Sequence, residues 1–335
     1  MATRGQAGFG NMTSSILDIA PNKYQQHVIH TKERDWAETN CYVDVWIEQL
    51  HALGLEPIAA MAFTLGIDFE GDQWTFFKFP LNDLYDLYGI EVQELAIWKP
   101  LTVHIEEQIA LGRPILVELD SMYLPDTAGT AYKIAHVKST VSVNSINIKE
   151  KRLGYFHAQG YYELDDHEFN QVFRLTPEYD DSYLEPYVEI AKLNRKLKLD
   201  NKGLVLTSIR ILKKQLKRLP KTNPFKLFKK QLTKDIEWLK SENIEMFHQY
   251  SFATLRQFGA CFEMASVYLN WLVEKGETDL EKASVLYKGI SETAKVYQFQ
   301  LARVVARGKT IELSAIDDMA EMWQEAKDIL EDKYL

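Results

Sequence analysis

Hydrophobic positions in this chain change their spacing once, from a mixture of helical and alternating periods to a helical period alone. Up to about residue 38 there is little periodicity. From Asn40 onward Cys41, Val45, Ile47, Leu50 and Leu53 fall at helical spacing, and Gly54 is a natural stop. A short helix is predicted over residues 57–65, then a polar, aromatic loop over 68–74, a helix over 81–88 and another ending at Gly112. Residues 115–120 form a compact apolar strand, and Pro125, Asp126 and Gly129 mark the connection that follows. Residues 135–146, 153–156 and 161–164 continue as β-branched or aromatic strands. Beyond about Asp180 no strand is predicted. Val205, Ile209, Leu212, Leu216 and Leu219 make one helical stripe; Leu255, Phe258, Phe262, Leu269 and Leu272 make another. Thr278 with Glu281 fits a capping box, opening a helix through Leu301, and Met319, Met322, Trp323 and Leu330 define a last one. The pattern is α+β: helices then an antiparallel sheet, followed by a C-terminal helical bundle.

Composition narrows the class. The 335 residues, 46% hydrophobic and 12% aromatic, suit a globular protein of two domains. No apolar run approaches the length of a membrane span, and the N-terminus lacks a signal-peptide core. Residues 1–30 read as a flexible lead-in, 31–180 as the α+β domain and 181–335 as the helical domain. Two cysteines, Cys41 and Cys261, make no disulfide framework, so a reducing cytoplasm is expected. The net charge of −9 conceals an asymmetry, because fifteen Lys or Arg stand against Asp200 alone between Lys192 and Lys234. Nucleic acid is not the expected partner, since that basic stretch offers only Phe225 and Phe228 for stacking and the remainder is acidic. A solvated helix face, a membrane surface or an acidic protein partner each fits the charge.

Candidate chemistry centres on Cys41. It occupies the first turn of a predicted helix behind Thr39 or Asn40 as cap, where unpaired backbone N–H groups and the helix dipole favour a thiolate and an oxyanion. The plainer role for such a residue is as a small core hydrophobe. If the strand ending at Asp120 and the one beginning at His136 pair as a hairpin, the acid and the imidazole lie opposite each other, an arrangement that orients a base for a thiol. Cys261, inside an apolar run, reads as core. His27 and His30 lack a second pair at zinc spacing, so no metal is expected. Asp68, Glu70 and Asp72 do not follow the order of a calcium loop, although Trp74 and Phe77 beside them suggest a cover over a pocket.

Two resemblances add to this. The stretches Asn-Cys-Tyr-Val-Asp-Val-Trp from Asn40, Phe-Glu-Gly-Asp-Gln-Trp from Phe69, Val-Glu-Leu-Asp-Ser-Met-Tyr-Leu-Pro-Asp-Thr from Val117, His-Val-Lys from His136, Leu-Gly-Tyr-Phe-His from Leu153 and Arg-Gln-Phe-Gly-Ala from Arg256 resemble a bacterial domain-of-unknown-function family. More remotely, over residues 35–170, the order of a cysteine, Asp-x-x-Tyr-Leu-Pro and a strand-opening histidine resembles the butirosin side-chain acyltransferase group of papain-like enzymes. That resemblance implies a papain-like N-terminal domain, Cys41 as acyl acceptor and His136 as its base. It implies no bound cofactor beyond the phosphopantetheine of an acidic acyl or peptidyl carrier protein, and a small-molecule or protein acyl acceptor. The usual third residue after the histidine strand is missing, and Asp120 takes its place in this reading. Asn40, Trp74, Tyr123, His157 and Arg256 are the expected substrate contacts, and Lys213, Lys214, Lys217 and Arg218 the expected carrier-docking face. A cysteine amidase or peptidase, and a non-catalytic carrier-binding or scaffold protein, are the alternatives.

Overall fold

A computed structural model describes residues 14–30, 34–37, 39–177, 183–194 and 198–335. The earlier part of the expected lead-in lies outside the described residues. Contacts divide the chain into two interleaved units. One comprises residues 1–26, 44–53 and 90–194, and the other 27–43, 54–89 and 195–335.

The sheet unit holds seven antiparallel strands. Strand β1 (Ser14–Ser15) pairs with β4 (Lys138–Asn147), so the lead-in contributes to the sheet. The main order is β2 (Ile90–Glu94), β7 (Val188–Leu193), β3 (Ile115–Asp120), β4, β5 (Arg152–His157) and β6 (Gly160–Asp165). Strand β7 corrects the expectation that strands end near Asp180, and β2 was also missed. Helices α3 (Leu101–Ala110) and α4 (Asp166–Val172) belong to this unit, as does most of α1 (Cys41–Ala52), whose first three residues fall in the other. Alternate residues of the strands, including Ile115, Val117, Leu119, Val141 and Val143, meet Leu101, Ile105, Ile109 and Phe169 in a closed apolar core. Each fully buried side chain of this kind contributes about 1.5–3 kcal/mol. Gly154 is required by packing between β5 and its neighbours. A Cβ there would stand 2.2 Å from the Tyr161 hydroxyl and 2.3 Å from Ser145 Oγ.

The helical unit contains a 3₁₀ helix (Pro57–Gly66), α2 (Leu81–Tyr88), α5 (Asn201–Leu216), α6 (Pro224–Leu239), α7 (Ile244–Ser251), α8 (Gln257–Glu274), α9 (Glu281–Arg307) and α10 (Ser314–Tyr334). Asp200, Asn223 and Asn243 cap α5, α6 and α7 by accepting from Gly203, Phe225 and Met246 backbone N–H groups. The expected capping box at Thr278 does not form: α9 begins at Glu281 without a side-chain cap, and the Thr278 hydroxyl donates to Asp279. A single π-helical turn (Phe252–Arg256) joins α7 to α8. Helix α8 is buried along nearly its whole length. Around it Trp74, Phe225, Phe228, Phe258 and Phe262 pack ring against ring. Trp74, expected as part of a cover over a pocket and as a substrate contact, is 1% exposed, its indole packed among these phenylalanines. Among the described residues, no helix is long and apolar enough to cross a membrane.

Candidate functional site

The sheet unit encloses a cavity of about 1030 Å³. Asp120 and Glu118 at the end of β3, Tyr123 and His136 in the following connection, Gln171 and Val172 of α4, and Arg174, Tyr183 and Glu185 beyond it line this space. Two non-glycine residues with positive φ, Asp166 at 42° and Arg174 at 54°, bracket α4, so the wall of the cavity carries local backbone strain.

His136 Nδ1 lies 2.6 Å from Asp120 Oδ2. Asp120 Oδ1 accepts from the Met122 backbone N–H at 3.0 Å, which fixes the carboxylate at the start of a 3₁₀ turn. With a carboxylate at Nδ1 the neutral ring carries its proton there, leaving Nε2 as a base. The His136 side chain is 68% exposed and Asp120 33%, so the pair is open to solvent. The Tyr123 ring sits edge-on to His136 at 6.2 Å between centroids. In the strand register Asp120 faces Lys138, two residues past His136, which precedes the strand it was expected to open. The connecting segment folds back so that the side chains meet all the same.

The same unit holds a second acid–imidazole pair. His157 Nδ1 donates to Asp126 Oδ2 at 2.5 Å, the Tyr155 hydroxyl donates to Asp126 Oδ1 at 2.5 Å, and Ser139 Oγ lies 2.6 Å from His157 Nε2. The His157 and Asp126 side chains are only 6% and 3% exposed. Burial, followed by the Asp126 charge, pushes the Tyr155 phenol above its ordinary range, so it remains a donor. Both His157 nitrogens are occupied, and this corrects its expected role as a substrate contact. Sequence reading missed Asp126, taken only as turn punctuation, because its partner His157 lies 31 positions further on.

The remaining expected residues fall in the helical unit. Cys41 heads α1 with intermediate exposure. Asn40 is the cap: its Oδ1 accepts from Val43 N–H at 3.0 Å and its Nδ2 donates to the Phe77 carbonyl at 3.0 Å. With both ends of its amide engaged and 2% exposure, Asn40 positions the helix start and is not a substrate contact. Arg256 closes the π turn over the Phe252 ring. Cys261 is fully buried, its Sγ 3.4 Å from the Thr64 carbonyl, and burial pushes its thiol well up. Lys213, Lys214, Lys217 and Arg218 are exposed on the last turn of α5 and just beyond it. Part of that charge has a local counterpart in buried Asp83, whose carboxyl burial raises while Lys214, Gln215 and Arg218 draw it down. Among the described residues no three His, Cys, Asp or Glu side chains gather to hold a metal ion.

Comparison with known families agrees with the first resemblance. One family model, the DUF1839 N-terminal domain, matches residues 25–193, and a second, the DUF1839 C-terminal domain, matches residues 201–332. The chain belongs to the DUF1839 family. No curated protein matches it. The boundary between the matched regions falls just after β7, which places the last strand with the sheet.

Proposed function

For this DUF1839 protein we propose cysteine-dependent acyl transfer, with Cys41 as nucleophile and His136, oriented by Asp120, as general base. The observation that carries this reading is the exposed His136–Asp120 pair at a large cavity, in which the carboxylate at Nδ1 leaves Nε2 as the basic nitrogen. Cys41 at a capped helix start supports it, since the positive end of the helix dipole there favours a thiolate.

In the first half-reaction the Cys41 sulfur bonds to the carbonyl carbon of a carrier-bound thioester. The bond from that carbon to the carrier sulfur breaks, and the carrier thiol leaves with the proton from His136. In the second, an amine or hydroxyl attacks the acyl-enzyme, gives its proton to His136 and releases the Cys41 sulfur. The papain-like arrangement and the acidic carrier protein belong to this proposal. Docking falls on Lys213 and Lys217, because Lys214 and Arg218 also balance Asp83.

The test is alkylation of the native protein from pH 5 to 9 with mass mapping. Rapid modification of Cys41 near pH 6, slowed about a hundredfold or more in His136→Ala, is expected. Cys261 should stay unmodified throughout, as an internal control for folding. A Cys41 that reacts no faster than a free thiol removes the enzyme and leaves a carrier-binding protein. Turnover of thioester or amide without an acceptor points to an amidase or peptidase. Reversal of Lys213 and Lys217 to Glu is expected to weaken carrier binding at low salt.

A further inference from the structure

In the helical unit, residues 34–36 lie along α8 and α9. The Asp35 and Trp36 backbone N–H groups donate to Glu263 at 3.0 and 3.2 Å, and the Trp36 indole donates to Ser291 Oγ at 2.9 Å. Gly259 admits that indole: a Cβ there would stand 2.4 Å from the ring. Gly259 and Glu263 share one face of α8, with Arg256 at the end of the preceding π turn, and Lys288, Ser291 and Lys295 share one face of α9.

The charges on these faces do not balance. Glu263, 3% exposed, also accepts from Arg34 Nε at 3.2 Å and Lys288 Nζ at 2.9 Å, and Lys288 reaches Asp35 at 2.5 Å. Both carboxylates are therefore engaged, while Arg34, Arg256, Lys288 and Lys295 bring four positive charges. The Arg34 side chain is only 7% exposed, yet its Nη1 and Nη2 are buried with no hydrogen-bond acceptor among the described residues. A buried guanidinium left with two empty donors is strongly disfavoured and marks the place of an absent acceptor. Lys295 Nζ stands 4.4 Å from the centre of the Trp36 ring. Burial first, then the positive charge of Arg256, hold Lys295 below the usual lysine range, against the pull of Asp35 and Glu263.

We propose that Arg34, which shares Glu263 with Lys295, forms with Lys295 and its neighbour Arg256 an oxyanion-binding site of the helical unit. Its ligand group is a carboxylate or phosphate that takes both Nη donors of Arg34 side by side. The planar fork matches two oxygens of such a group, which a monatomic anion cannot supply. The inference does not rest on acyl transfer and survives an unreactive Cys41.

The test is the thermal midpoint of the full-length protein titrated with inorganic phosphate, acetate or chloride at constant ionic strength. Phosphate or acetate should raise the midpoint in a saturable way, where chloride does not. A stronger response to phosphate assigns the site to a phosphorylated ligand, and a stronger response to acetate assigns it to a carboxylate ligand. Arg34→Lys removes the fork and should weaken binding at least tenfold. Lys295→Gln should weaken it several-fold and, being at a half-buried position, keeps the test intact if Arg34→Lys does not fold. In the native protein the bound oxyanion should also slow acylation of Lys295, because a neighbouring negative charge favours the protonated amine. Equal responses to all three anions, or an oxyanion response unchanged in Lys295→Gln and with Lys295 acylation unaltered, overturn the proposal.

Discussion

Two histidine–aspartate pairs sit in one antiparallel sheet unit and differ in little except access to water. His136–Asp120 is short and open, at the edge of a cavity. His157–Asp126 is as short, but closed in by Tyr155 and Ser139. The contact chemistry is the same, so the contact alone does not distinguish a working base from a structural clasp. What distinguishes them is the second ring nitrogen. His136 is largely exposed and lines the cavity with only its Nδ1 held by a carboxylate, and His157 Nε2 already accepts from a buried serine. An imidazole with every valence filled holds strands and turns together, and one with a vacant nitrogen at a cavity is free to take a proton.

The largest expected effect falls on the closed pair. Asp126→Asn removes a buried charge from beside two donors, and His157→Ala leaves that charge uncompensated. Each should destabilise the protein by about 3–5 kcal/mol in urea unfolding. Asp120→Asn and His136→Ala should cost less than about 1 kcal/mol, since their contact is largely solvated. If the two pairs were to show equal losses, the distinction between clasp and base would fail. Reactivity should invert the order. Cys41 alkylation near pH 6 should fall by about two orders of magnitude or more in His136→Ala, in the labelling experiment proposed above. A His157 variant that remains folded retains most of it.

Tyr155 sharpens the contrast with a smaller effect. Tyr155→Phe deletes one donor to Asp126 and should cost about 1–3 kcal/mol, since the hydrogen bond ends on a charged group. It also predicts a pH signature. Because burial and Asp126 raise the folded-state phenol above its unfolded value of 10.0, the stabilisation is complete below about pH 10. It is lost as pH rises beyond that point, where the unfolded chain gives up a proton that the folded chain keeps. Unfolding free energy between pH 9.5 and 11 should therefore decline less steeply in Tyr155→Phe than in the native protein. An unaltered slope would mean that the phenol ionises as easily folded as unfolded.

How much of this was readable in the sequence depends on how far apart the partners lie. Asn40 as cap of α1, Cys261 as core and the stripes of α8 and α10 were legible, because caps and helical periodicity act over a few residues. His136 and Asp120 were legible because a hairpin returns the chain to its own edge, although the residue opposite Asp120 proved to be Lys138. Strand β7 escaped notice because only Val188 and Ile190 alternate before the long basic stretch begins, and its partners β2 and β3 lie far upstream. Trp74 misled because a polar loop gave no sign that its indole turns inward among phenylalanines from α6 and α8. Asp126 with His157, and Arg34 with Glu263, had no local signal: 31 and 229 positions separate them, and only folding brings them together.

The smallest effect tests the open side of the comparison. Lys138 Nζ lies 2.7 Å from Glu118 Oε1, with the lysine 70% exposed and the glutamate, which also lines the cavity, 21% exposed. Charge pairs in such surroundings are screened and contribute about 0.2–1 kcal/mol. Lys138→Gln should lower stability by no more than about 0.5 kcal/mol in dilute buffer and by less in 0.5 M salt, where the Debye length is only about 4 Å. A salt-insensitive loss of several kcal/mol would mean that Lys138, Glu118, Asp120 and His136 act as one buried network. The open pair would then be a clasp like the other, and the reading of His136 as a free base would fail.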